Sequence, residues 1–189
     1  MYLDVYLEEN PEENLNNYLH SATLKRAFLM NIFIRAAIEE ARASLKEGGV
    51  PIGAVLVEDG RIIGRGRNKR VQNNDQLMHA EIDCLRDARL TGGYHGTMLY
   101  TTLMPCYLCA GAVVQFGIMK VVVGESSSAP GARELMEANG IEVSDMELEE
   151  CRQLMDDYIS KNPDLWDQFL SEVNPDLVRG CNCSNSPDR

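Results

Sequence analysis

Residues 98–125 read MLYTTLMPCYLCAGAVVQFGIMKVVVGE. Met98 to Leu103 is rich in β-favouring residues, and Lys120 to Val123 is a second short apolar strand. Between them Pro105 marks the start of a helix predicted from Cys106 to Phe116. A strand, a helix and a strand in so short a span describe a βαβ unit, and therefore a sheet covered by helices. The two cysteines of PCYLC fall one turn apart on one face at the helix start. There the unpaired N–H groups and the positive end of the helix dipole favour thiolates. Alone, the pair is a redox couple, half of a metal site, or coincidence.

The rest of the chain extends the same pattern. A strong helix is predicted from Leu24 to Glu47, with Phe28, Ile32, Ala36, Ala41 and Leu45 near helical spacing, and Gly48-Gly49 ends it. Ile52 to Val57 reads as a strand, Glu58-Asp59-Gly60 as a hairpin turn, and Arg61 to Arg65 as the returning strand. Residues 68–78 are polar and aperiodic, so a surface loop is expected. Helices follow at His79–Leu90, Arg133–Asn139, Glu149–Ser160 and Pro163–Val173, with a strand-like stretch at Ile141–Val143. The expected organisation is an acidic N-terminal extension over residues 1–22, one domain over 23–175, and a flexible tail over 176–189.

Composition narrows the function classes. The chain has 189 residues, 44% hydrophobic and 25% charged, which suits one folded domain. Its 29 acids against 18 bases give a net charge of −11. That balance disfavours a nucleic-acid partner or an anionic membrane surface. No apolar run approaches the roughly 20 residues that span a bilayer, and the acidic N-terminus lacks the order of a signal peptide. Six cysteines are too sparse for a disulfide-stapled miniprotein. The expectation is a soluble cytoplasmic protein with reduced thiols.

His79-Ala80-Glu81 gives the cysteine pair its meaning. His79, Cys106 and Cys109 form a three-ligand set, which leaves tetrahedral zinc one position for water and so describes a catalytic site. Glu81, two residues after His79, is placed to hydrogen-bond that water and to act as the catalytic proton carrier. His-x-Glu followed by Pro-Cys-x-x-Cys is the signature of zinc deaminases. The competing readings are an unrelated histidine and cysteine pair, or a structural zinc module, which would not need Glu81.

Beyond the signature, GGVPIGAVLVEDG (48–60), IIGRGRN (62–68), residues 98–118, KVVVGE (120–125) and NPDLW (162–166) resemble the yeast-type cytosine deaminase family. The likeness covers roughly residues 30–170. It implies a three-layer α/β/α cytidine-deaminase-like fold with a mixed five-stranded sheet, a free nucleobase as substrate, a Zn²⁺ cofactor and a homodimer. By the same resemblance, Asn68 would hydrogen-bond the ring carbonyl with support from the Ala80 N–H. The Met104 carbonyl would accept from the exocyclic amine. Ile52 and Leu103 would line the pocket, and Trp166 would lie in a C-terminal helix that covers it. Away from the resemblance, Trp166 also reads as core packing and Asn68 as a loop cap. Cys84 and Cys151 read as apolar helix-face residues.

Three departures bear on the substrate. The family's His-Gly-Glu is His-Ala-Glu here. An aromatic residue expected after the Gly-Glu turn is missing from GESSSAPG (124–131). The family also carries an acid three residues after the covering tryptophan, in contact with the substrate amine. Here that position is Phe169, and the neighbouring acids are Asp167 and Glu172. The expected reaction is hydrolytic deamination of a free base, cytosine first. The alternatives are another heterocycle such as guanine or isocytosine, a tRNA adenosine deaminase, or a non-catalytic zinc-stabilised module. Against the tRNA reading, residues 142–176 hold eleven acids and two bases.

Overall fold

The computed structural model describes residues 22–91 and 93–171. The acidic extension before Ala22, the end of the last helix toward Val173, Glu172, and the tail with Cys181 and Cys183 lie outside the described residues.

The elements are α1 (Ala22–Lys46), β1 (Gly53–Glu58), β2 (Arg61–Arg67), α2 (Arg70–Asn73), α3 (Ala80–Ala88), β3 (Met98–Leu103), α4 (Tyr107–Phe116), β4 (Lys120–Glu125), α5 (Arg133–Ala138), β5 (Glu142–Asp145), α6 (Glu149–Lys161) and α7 (Pro163–Ser171). The five strands form one sheet in the order β2-β1-β3-β4-β5. β1 runs antiparallel to both β2 and β3, whereas β3, β4 and β5 are parallel. This is the mixed α/β sheet that the sequence predicts.

Strand periodicity divides the core into two layers. Val55, Val57, Tyr100 and Val122 pack on Phe33, Ile34 and Ala37 of α1. Ala54, Leu56, Leu99, Val121 and Val123 belong to the other layer, with Ala80 and Cys84 of α3, Ala110 and Val113 of α4, and Met136 of α5. Both faces are covered, which is why β1 and β4 are apolar runs rather than alternating ones. The β1–β2 turn places Asp59 and Gly60 at φ 47° and 74°, the left-handed pair that matches hairpin twist.

Two local expectations are corrected. The inward stripe of α1 is Phe33, Ala37 and Ala41, while Ile32 and Leu45 are exposed. The reason is close approach: a Cβ on Gly53 of β1 would sit 2.1 Å from the Ala37 carbonyl oxygen, so small residues must face the strand. The loop 68–78 also contains a helical turn, α2, closed by Asn74 in the left-handed conformation. Its single turn is too short to show a periodicity.

On the opposite face, α3 lies against β2 at Gly66, where a Cβ would come within 2.1 Å of the Cys84 nitrogen and 2.3 Å of the Ala80 oxygen. Both contacts are backbone, so a methyl group can be accommodated only by displacing the helix. Gly66→Ala should cost about 1–3 kcal/mol by overpacking, a fall of several degrees in Tm. It should also weaken retention of any ligand held by the N-terminus of α3. Thermal denaturation of the variant checks this, and an unchanged Tm would refute the close packing.

Candidate active site

α3 and α4 each start at a residue in extended conformation: His79 precedes α3 with ψ 157°, and Cys106 precedes α4 with ψ 175°. Cys109 lies in the first turn of α4 and is buried. The two helix N-termini therefore meet, and His79, Cys106 and Cys109 come together as a group able to hold a metal ion. His79 Nδ1 lies 3.5 Å from each sulfur. Tetrahedral zinc with Zn–S and Zn–N bonds of about 2.3 and 2.0 Å separates such donors by roughly 3.5 Å. The donor set and its spacing fit zinc.

Electrostatics agree. The Cys106 thiol is held down at about 4, first by the hydrogen bond from the Cys109 thiol and, against burial, by His79. Cys109 is pushed up by that same bond and by burial, so the pair takes its first negative charge on Cys106. Burial pushes the His79 imidazolium down, but the Cys106 thiolate outweighs it and the net shift is upward. Glu81 is raised by burial and then by Cys106. A cation among these groups relieves their mutual repulsion.

Glu81 is 5% exposed and lies in the first turn of α3. One carboxylate oxygen is 3.3 Å from the Thr101 hydroxyl, and the other lies 3.3 Å from the Cys109 sulfur. The Thr101 hydroxyl also lies 3.2 Å from the Leu103 carbonyl oxygen. Sequence reasoning missed Thr101. The signal was available, because Thr101 shares the face of β3 that presents Leu99 and Leu103 to the helices.

The residues expected to hold the substrate are gathered nearby. Ile52, Ala80, Leu103, Met104 and Trp166 belong to one buried cluster. Ala80 is the first residue of α3, where a backbone N–H has no partner within the helix. The Met104 N–H donates to the Glu125 carbonyl at 3.0 Å, which fixes the peptide before Pro105. Asn68 is buried. Its N–H donates to the Ile52 carbonyl at 2.9 Å and its Oδ1 accepts from the Arg70 N–H at 3.2 Å, so it also caps α2. Its carbonyl oxygen lies 2.6 Å from the Ser44 hydroxyl and accepts from Gln72 Nε2 at 3.2 Å. Its side-chain Nδ2 is buried with no partner among the described residues. A buried unpaired amide is costly, and a ligand acceptor would satisfy it. Ser44 and Gln72, which hold this loop, carried no sequence signal.

Trp166 is buried in α7 and stacks on Phe169, with ring centroids 4.8 Å apart and planes 7° apart. Phe169 in turn stacks on His79 at 5.9 Å. The residue of α7 that meets the metal-ligand group is thus Phe169. Asp167 is exposed and does not take the place of the missing acid. An open cleft of about 210 Å³ adjoins Phe169, lined also by Arg70, Tyr158 and Gln168. Cys84 and Cys151 are buried away from the ligand group, and burial raises both thiols. His95 is exposed.

Comparison with known proteins agrees with this geometry. Residues 30–125 match the model of the cytidine and deoxycytidylate deaminase zinc-binding region. A cytosine deaminase of Candida albicans is 36% identical over 74% of this chain and 95% of its own length. Among solved structures, one from studies of A-to-I editing by tRNA:A34 deaminases has a TM-score of 0.61 at 32% identity, covering 66% of this chain and 99% of that one. A guanine deaminase from Nitrosomonas europaea has a TM-score of 0.59 at 25% identity, covering 68% and 83%. The chain belongs to the cytidine and deoxycytidylate deaminase zinc-binding family. It is a deaminase-superfamily hydrolase whose cofactor is zinc, with His79, Cys106 and Cys109 as candidate ligands.

Purified protein should carry about one zinc per chain. His79→Ala and Cys109→Ala should each lose most of it, as measured by atomic emission on folded protein. Cys151→Ala, a thiol equally buried but outside the ligand group, should retain it. A Cys109→Ala variant with full zinc content would overturn the ligand assignment.

Proposed function

We propose that the protein hydrolytically deaminates a free nucleobase, cytosine to uracil with release of ammonia. The observation that carries this reading is the buried Glu81 carboxylate beside the His79, Cys106 and Cys109 donors. His79, Cys106 and Cys109 would hold zinc, which would supply an activated water as the nucleophile. Glu81 takes a proton from that water and delivers it to the ring nitrogen next to the amine-bearing carbon. Thr101 orients the carboxylate for both transfers. The water oxygen bonds to the amine-bearing carbon, Glu81 carries the remaining proton of that hydroxyl to the amine, and ammonia leaves as the C–N bond breaks and the carbonyl forms. The unpaired Asn68 Nδ2 holds the ring carbonyl, the Ala80 N–H supports it, and the Met104 carbonyl accepts from the amine. Ile52, Leu103 and Trp166 shut out water. The likeness to the Candida cytosine deaminase, which runs nearly the whole length of that protein, supports the choice of base.

A second reading, deamination of another heterocycle, draws support from Phe169 and from the guanine deaminase neighbour. The likeness to tRNA:A34 deaminases extends the possibilities to adenosine in RNA. The acids of residues 142–176 oppose that extension.

Among the described residues no helix is long and apolar enough to cross a membrane. The thiol ligands need a reducing compartment, which supports a cytoplasmic location. Leu108, Phe116 and Met119 are exposed apolar side chains that a second copy would cover, which supports a homodimer. Sedimentation at the monomer mass of 21.1 kDa would set the dimer aside.

Zinc-loaded protein should release ammonia from cytosine, read as conversion to uracil by absorbance. Glu81→Gln should lower kcat by about 10²–10⁴-fold, the range of general acid–base catalysis, with zinc content unchanged. Near-normal turnover by that variant would refute the role given to Glu81.

A further inference from the structure

Phe169 is part of a stack built from three elements. Its ring lies 4.8 Å from Trp166 on α7 and 5.9 Å from His79 at the start of α3. The guanidinium carbon of Arg70, from α2, lies 4.7 Å from its centroid. Contacts on several sides fix the ring against the metal-ligand group. Trp166 and Phe169 are three residues apart and share the inward face of α7. Asp164, Leu165, Asp167, Gln168 and Leu170 are exposed. The side chain that α7 brings to the ligand group is thus an aromatic hydrocarbon with no hydrogen-bonding atom.

An apolar wall discriminates in a definite way. A hydrogen-bonding edge facing it is left unpaired, whereas an alkyl substituent facing it gains contact. We propose that Phe169 is a specificity-determining residue of this deaminase. It forms the wall at the amine-bearing end of the heterocycle and selects bases that carry an alkyl group on the carbon next to the amine. On the deaminase reading above, on which this rests, the favoured substrate class is 5-alkylated cytosine rather than bare cytosine. Arg70 acts through Phe169, holding its ring in place.

Two readings test it on zinc-loaded protein. The first is kcat/KM for ammonia release from 5-methylcytosine and from cytosine. The second is binding of the products thymine and uracil, followed by fluorescence of Trp166, the only tryptophan in the chain. Wild type should favour the methylated member of each pair, by about tenfold or more, the scale of one methyl group in an apolar pocket. Phe169→Leu should keep the ratio within about twofold. Phe169→Ala and Phe169→Asp should lower it toward unity or invert it. If Phe169→Asp does not fold, Phe169→Ala still decides. A ratio unchanged in every folded variant, even with all rates reduced, would leave Phe169 a structural role and overturn the proposal. So would a wild-type preference for cytosine and uracil. Absence of ammonia release from every base would instead overturn the deaminase reading, and the thymine–uracil ratio would still judge Phe169.

Discussion

Three donor atoms on two separate helices must come within about one bond-pair distance of each other, and much of the fold is arranged by that requirement. His79 and Cys106 sit where α3 and α4 begin, so both helices aim their N-termini at one point. α3 is set by direct backbone contact with β2 at Gly66. α4 is set by the turn after β3, where the Glu125 carbonyl takes the Met104 N–H and the Pro105 carbonyl takes the Ala132 N–H. The parallel pairing of β3 with β4 brings Leu103 opposite Glu125 and places both ends at the same edge. Ligand sites in open α/β sheets lie at the carboxyl ends of strands for this reason. An error of an ångström in either helix would spoil the 3.5 Å spacing of histidine and sulfurs.

The same convergence concentrates negative charge in a dry place. Burial, and after it the Cys106 thiolate, raise the cost of ionising Glu81. The two helix N-termini offset part of this. A divalent cation held by His79, Cys106 and Cys109 would offset the remainder. Thr101, which shares a face of β3 with Leu99 and Leu103, places its hydroxyl 3.3 Å from one Glu81 oxygen. Among the described residues, the geometry that gathers the donors brings three of them together, with Glu81 alongside.

What the sequence made legible was local. The βαβ unit over 98–125, the hairpin at Asp59-Gly60 and the two helix starts each depend on residues adjacent in the chain, and each is present. Zinc ligation was legible because His79 and the PCYLC pair carry a rare combination of donors. The α1 face was misjudged because the helix carries apolar residues on more than one side, and the close approach of Gly53 to Ala37 turns Phe33, Ile34 and Ile38 inward and leaves Ile32 and Leu45 exposed. α2 is one turn in a polar segment, below the length at which periodicity exists. The Ser44 and Gln72 contacts to the Asn68 loop span 24 and 4 residues and join a helix to a loop. Nothing in either segment alone announces them.

Phe169 shows how a departure in sequence acquires meaning only through packing. It follows His79 by ninety positions, and its replacement of an expected acid reads at first as a loss. On the helix, however, position 169 faces inward with Trp166, while the acids Asp164 and Asp167 face water. Both acids of α7 are therefore kept on its outer face, and its inner face is aromatic. An acid at 169 would add a further carboxylate to a site that already holds Glu81 and Cys106. A ring adds no charge, excludes water and stacks on a ligand histidine. α7 thus contributes neither of its acids, Asp164 and Asp167, to the site, and presents a ring to it instead.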